Sequence, residues 1–160
     1  MSEQEPIGGF AVAIVREDGR WRCTAMDPSA LRELDAAITE LRKIRSTGAV
    51  FGMLAVDDYF FLLLRPSPGG VTCLLSDAGA ALDYDIAADV LDVLRVDPPE
   101  EDDEPWPQGT LDILADLGLH GDEMRVITTE DLYPDEQLRI IAQRCGFADE
   151  LDTVLDRIQQ

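Results

Sequence analysis

The sequence predicts an α+β protein: an antiparallel five-stranded sheet with flanking helices in the order ββαβββα, followed by a small helical C-terminal region. Three observations carry this expectation. Short apolar runs rich in strand formers, Gly9–Val15, Ala49–Val56, Tyr59–Arg65 and Val71–Ser76, are separated by turn-sized gaps. Between and after them, apolar residues recur at three- and four-residue steps, the period of an amphipathic helix. The last part of the chain holds only helical patterns. Hydrophobic residues make up 46% of the 160 positions, enough to bury a core.

Taken in order, Gly9–Val15 and Trp21–Ala25 flank the turn signal Glu17-Asp18-Gly19 and read as a hairpin. Asp27-Pro28 then opens a helix, with Asp as N-cap and Pro at the first helical position. Leu31, Leu34, Ile38, Leu41 and Ile44 form its inner stripe, and Gly48 lies just beyond its end. The next two strands are joined by Asp57-Asp58, a two-residue hairpin connection. Pro66–Gly70 is a loop before the fifth strand. A second helix is expected over about Asp83–Leu94, with Ile86, Val90, Val93 and Leu94 apolar. Runs this apolar call for cover on both faces, from helices on both sides or from helices on one and the C-terminal region on the other.

Further on, Leu111, Ile113, Leu114 and Leu117 suit a short helix ended by Gly118, and Asp122–Thr128 a second short segment. Pro134-Asp-Glu136 starts a helix with acids near the positive end of its dipole. Its stripe is Leu138, Ile141, Ala142 and Cys145, and Gly146 closes it. Leu151, Val154, Leu155 and Ile158 mark a final helix. The expected organisation is a sheet domain over 1–96, an acidic Pro-rich linker over 97–109 and a helical region over 110–160.

Charge narrows the function. The net charge is −20, from 13 Lys+Arg against 33 Asp+Glu. Residues 1–96 hold 15 acids and 9 bases; residues 97–160 hold 18 acids and only 4 bases. The densest stretch, Asp97-Pro-Pro-Glu-Glu-Asp-Asp-Glu104, has six acids and no base, and like-charge repulsion with prolines disfavours regular structure there. Such acidity argues against direct nucleic-acid binding, which requires surface Lys and Arg. No window suits a transmembrane helix, and the polar, acidic opening Met1–Pro6 is unlike a secretory leader, so a cytoplasmic protein is expected. Cys23, Cys73 and Cys145 have no metal-ligand spacing and are odd in number, which favours reduced, buried thiols.

No catalytic set stands out. His120, the single histidine, sits in the Gly-bracketed Gly118–Gly121 turn and reads as an exposed turn residue. Asp57-Asp58 could be an acid–base pair or simply turn residues bonding their own backbone. Gly69-Gly70 lacks the spaced glycines and Lys of a phosphate loop, and no Gly-x-Ser-x-Gly occurs. No metal or cofactor is expected. Glu100, Glu101, Asp102, Asp103 and Glu104 could steer a basic partner or merely solvate a linker. Trp106, in Pro105-Trp-Pro107, could anchor in a partner's pocket or fold back over its own domain.

Two stretches extend this reading: Asp112-Ile-Leu-Ala-Asp-Leu-Gly118, and Asp131-Leu-Tyr-Pro-Asp-Glu136 continuing through Leu138, Ile141, Ala142 and Arg144 to Gly146-Phe147. With Gly9-Phe-Ala-Val and the acidic linker, they resemble the tRNA adenosine deaminase-associated protein family of high-GC bacteria, over about Gly8 to Ile158. The resemblance implies association with the deaminase, chiefly by gene neighbourhood, and brings no catalytic residues to carry over. The chain is not itself a zinc deaminase, since the His-x-Glu and Pro-Cys-x-x-Cys motifs are missing. The expectation is therefore a non-catalytic accessory protein acting by protein–protein interaction, with a tRNA adenosine deaminase as the partner that the resemblance suggests. The element order also resembles a profilin-like or longin-like arrangement. That analogy leaves an alternative, a small-ligand or regulatory module using Phe51, Tyr59, Phe60 and Phe61.

Overall fold

The computed structural model describes residues 8–101 and 106–158. Its strands are β1 (Gly9–Glu17), β2 (Arg20–Ala25), β3 (Ala49–Val56), β4 (Phe60–Ser67), β5 (Gly70–Leu75) and β6 (Gln108–Gly109). Helices α1 (Leu34–Arg42) and α2 (Asp85–Leu94) lie within the sheet-forming part; α3 (Gly121–Thr129), α4 (Pro134–Cys145) and α5 (Ala148–Ile158) follow it. All neighbouring strands pair antiparallel, in the order β2-β1-β3-β4-β5-β6.

The sheet thus has six strands, where the sequence predicts five. The extra strand comes from the end of the segment read as a linker. Only two of its residues pair, Gln108 with Leu75 and Gly109 with Leu74, too few to leave a period-2 pattern. Gly109 is required there: its φ is +116°, and a Cβ would run into the Cys73 carbonyl. Thr110 N–H then donates to that carbonyl at 2.9 Å, extending the stitch along β5.

The first helix is also shorter than its stripe predicts, whereas α2 keeps its expected end at Leu94 and begins within two residues of the expected start. Asp27 is a cap, its Oδ1 accepting from Ser29 N–H at 2.9 Å, but it caps a 3-10 turn, Pro28–Leu31. Extended backbone at Glu33 separates that turn from α1. A second 3-10 turn, Ala78–Leu82, precedes α2 in the same way, with Tyr84 extended between them. Val93, expected on the inner stripe of α2, is 46% exposed.

The pleat sorts alternate residues into two cores. Phe10, Val12 and Ile14 of β1, Phe51 and Met53 of β3, Phe61 and Leu63 of β4 and Leu74 of β5 face the C-terminal helices. Ala11, Ala13, Leu54, Leu62, Leu64, Cys73 and Leu75 face α1 and α2. The sheet is therefore the middle of three layers, which explains the unbroken apolar runs of β3 and β4. Full burial of each large side chain contributes about 1.5–3 kcal/mol. Gly52 lets α1 approach closely, since a Cβ there would sit 3.0 Å from Leu41 Cδ1.

Arg65 fastens the C-terminal layer to the sheet. Its Nη1 donates to Ile113 O at 2.9 Å, and its two terminal nitrogens hold the Asp116 carboxylate at 2.7 and 2.8 Å. Trp21 and Phe147 complete the layer contact, with ring centroids 4.7 Å apart.

Candidate partner-binding surface

The register separates charge along the strands. Arg16 pairs with Trp21 and with Ala49, and Ser67 with Gly70, so the turns 17–20 and 67–70 and the start of β3 share one end of the sheet. Arg16, Arg20, Arg22, Arg42, Lys43, Arg45 and Arg65 cluster towards it, seven of the 13 bases. At the opposite end, Gly9 pairs with Val56 and Leu75 with Gln108. The residues just past these pairs are Asp57, Asp58, Asp77 and Trp106.

Two adjoining open grooves mark this acidic end, with Tyr59 and Asp77 in both. The first, about 900 Å³, lies between the β3–β4 turn and the start of α2 and is lined by six carboxylates with Arg32 as the one base. Asp57 organises it. Its Oδ1 accepts from Gly8 N–H at 2.7 Å and its Oδ2 from the Tyr84 hydroxyl at 2.7 Å. Burial, then that hydrogen bond and the Asp57 charge, hold the Tyr84 hydroxyl well above the ordinary tyrosine range. Asp57 reaches it from a positive φ of 49°, a conformation that Asp tolerates in turns. Neither reading made from the sequence, acid–base pair or purely local turn bonding, anticipates these long-range partners. Desolvation, then repulsion from Asp92, Asp35, Asp85 and Glu33, raises the Asp89 carboxyl above its usual value.

The second groove, about 760 Å³, runs from the β3–β4 turn past Trp106 to the loop joining α3 and α4. Five carboxylates line it, Asp58, Asp77, Glu130, Asp131 and Glu136, and no Lys or Arg does. Trp106 (57% exposed), Tyr59 (70%) and Tyr133 (59%) also line it; they are the exposed aromatic residues among those described. Leu132 adds a further exposed apolar side chain.

The walls are fixed by hydrogen bonds the sequence does not announce. Ala78 N–H donates to Trp106 O at 2.9 Å, and Pro107 is buried beside it. Gln137, 5% exposed, donates from Nε2 to Ile127 O in the last turn of α3 at 2.8 Å, and at 3.4 Å reaches Glu130 O in the α3–α4 loop. Ser76 Oγ accepts from Phe61 N–H at 2.9 Å, and Asp77 Oδ1 from Gly79 N–H at 2.9 Å.

Of the residues singled out from the sequence, Trp106 is placed here with its ring exposed and its carbonyl tied to the sheet end. Glu100 and Glu101 are exposed after α2; Asp102, Asp103 and Glu104 lie outside the described residues. Phe51, Phe60 and Phe61 are fully buried, so of the four aromatics considered for a ligand site Tyr59 alone meets solvent. His120 is exposed at the N-cap of α3, with no side-chain capping bond. Burial pushes the thiols up, Cys23 to about 12, with a smaller push from Glu150, and Cys73 and Cys145 to about 11. Among the described residues, no group of three or more His, Cys, Asp or Glu is placed to hold a metal ion, and no helix is long and apolar enough to cross a membrane.

Comparison with known proteins places this geometry in a lineage. The chain is 58% identical over 154 residues to Protein Rv3753c of Mycobacterium tuberculosis (strain ATCC 25618 / H37Rv), covering 94% of this chain and 89% of that one. No solved structure matches it. Residues 9–148 match the family described as Rv3753c-like tRNA adenosine deaminase-associated protein. On that match and that identity, the chain belongs to the Rv3753c-like tRNA adenosine deaminase-associated protein family.

Proposed function

We propose that this protein is a non-catalytic accessory factor that binds a tRNA adenosine deaminase, or a complex containing it, through the acidic end of its sheet. The observation that carries this reading is the pair of grooves in which carboxylates surround exposed aromatic rings and a single Arg is the one base. A tRNA-binding enzyme presents positive surface to phosphates, and an acidic partner meets such a surface with complementary potential. The family description supports the choice of enzyme. Within this reading the protein contributes affinity, orientation or screening, and the chemistry stays with the deaminase.

Co-purification of the two folded proteins at low and at moderate salt tests this. Association at low salt that weakens as salt rises is expected, because exposed charge pairs are screened. No association at either salt would remove the proposal.

A further inference from the structure

The groove beside Trp106 has a more specific chemistry than acidity alone. We infer that it is a docking site for an extended, arginine-bearing segment of a protein partner, whose guanidinium groups stack on the exposed rings and pair with the rim carboxylates. This deepens the accessory reading above and rests on it.

Three observations converge on that occupant. Trp106, Tyr59 and Tyr133 are all exposed and all line this one groove, although every phenylalanine of the chain is buried. Exposed rings gathered at one place mark a recognition surface more than a solvated one. Asp58, Asp77, Glu130, Asp131 and Glu136 share the groove without any base, so the missing charge comes from the partner. A guanidinium satisfies both features at once: it is planar, weakly hydrated, stacks on aromatic faces and bonds carboxylates bidentately. An ammonium is a compact, strongly hydrated charge that can sit over a ring but neither stacks flat on it nor bonds a carboxylate bidentately.

Shape and rigidity favour a chain over a small molecule. The groove is open, drawing on the β3–β4 turn, the end of β5, Trp106 and the α3–α4 loop. Its walls are held before binding by the Ala78–Trp106 and Gln137–Ile127 hydrogen bonds, which lowers the ordering cost of association. A phosphate is excluded even at the start of α4. Asp135 and Glu136 occupy that first turn, and Glu136 Oε1 already accepts from Tyr133 N–H at 3.3 Å.

The test titrates the full-length protein with a ten-residue Gly/Ser peptide bearing Arg at every third position, and with the same peptide carrying Lys, following tryptophan fluorescence and calorimetric heat. The Arg peptide is expected to bind about fivefold more tightly than the Lys peptide, the scale of an exposed cation–π contact. Trp106→Ala, at an exposed position, should bring the two peptides level without changing the melting temperature, and Tyr133→Ala should narrow the gap. Equal affinity of both peptides for the unaltered protein, or Arg-peptide binding indifferent to Trp106→Ala, would overturn the assignment. Capture of the deaminase is read separately. A protein that captures the enzyme but does not discriminate the peptides loses this groove assignment and keeps the accessory role. One that discriminates them but captures no enzyme keeps the groove and loses the role.

Discussion

At one end of the sheet, three of the seven cations are built into the fold; at the other, several anions are left facing water around exposed rings. Arg42 donates to Ser67 O at 3.2 Å and Gly70 O at 2.7 Å, tying α1 to the β4–β5 turn. Arg65 ties β4 to the C-terminal layer, and Arg16 lies over the Trp21 ring at 5.0 Å. Those charges hold the protein's own elements together. At the acidic end Asp57, Asp77 and Glu136 have internal partners, but Asp58, Glu130 and Asp131 are exposed around rings that are exposed too. Net charge therefore says little about which end recognises others. Commitment of the charges to internal bonds distinguishes the two.

Breaking the scaffold of the acidic end should have the largest effect. Gln137→Ala leaves the buried Ile127 carbonyl in the last turn of α3 without its Gln137 donor, which should cost about 1–3 kcal/mol of stability. Chemical denaturation measures it, and the same variant should weaken Arg-peptide binding as the loop loosens. Unchanged stability would mean that Gln137 does not hold the groove.

The basic end can be probed through Arg65, at smaller cost. Arg65→Met should lower stability by about 1 kcal/mol, because the Asp116 side chain is 60% exposed and the pair is partly screened. The hydrogen bond from Arg65, with its charge, holds the Asp116 carboxyl below its usual 3.8. Between that lowered value and the ordinary one the unfolded chain binds more protons than the folded one. The pair's contribution is thus full above the ordinary value and fades as pH falls through the lowered one. Melting curves from pH 5 to 2.5 should show that acid loss in the unaltered protein and a reduced one in Asp116→Asn.

The smallest effect on folding sharpens the comparison most. Neutralising Glu100, Glu101, Asp102, Asp103 and Glu104 together should barely move the melting temperature, since Glu100 and Glu101 are exposed and a run of like charges contributes little to stability. It should weaken capture of a basic partner and flatten the salt dependence. A collapse in melting would show that the run is integral to the fold.

How far the sequence reaches depends on whether a feature repeats. The first five strands are legible because apolar runs punctuated by Asp-Gly, Asp-Asp and Pro-Ser-Pro-Gly-Gly leave few alternatives. The sixth is not, because two residues carry no period. Leu31 and Leu34 keep the same spacing whether they belong to one helix or straddle a 3-10 turn and a helix, so the break at Glu33 is silent. Pro134 and Gly146 are read correctly as the limits of α4 because each has a conformational reason to be there. The groove is invisible for a different cause: it is assembled from four segments far apart in the chain. One signal for it is present. Gln137 falls four residues before Ile141 and next to Leu138, on the buried side of α4, where an amide must find a partner.

The two outermost strands carry a further consequence. β2 presents Arg20 and Arg22 on one margin, and β6, preceded by buried Pro107, offers only two residues on the other. A cationic border on one side and a stub on the other both discourage foreign chains from zipping onto the backbone. Filament growth is blunted at each margin, and whatever joins this molecule is selected by its side chains.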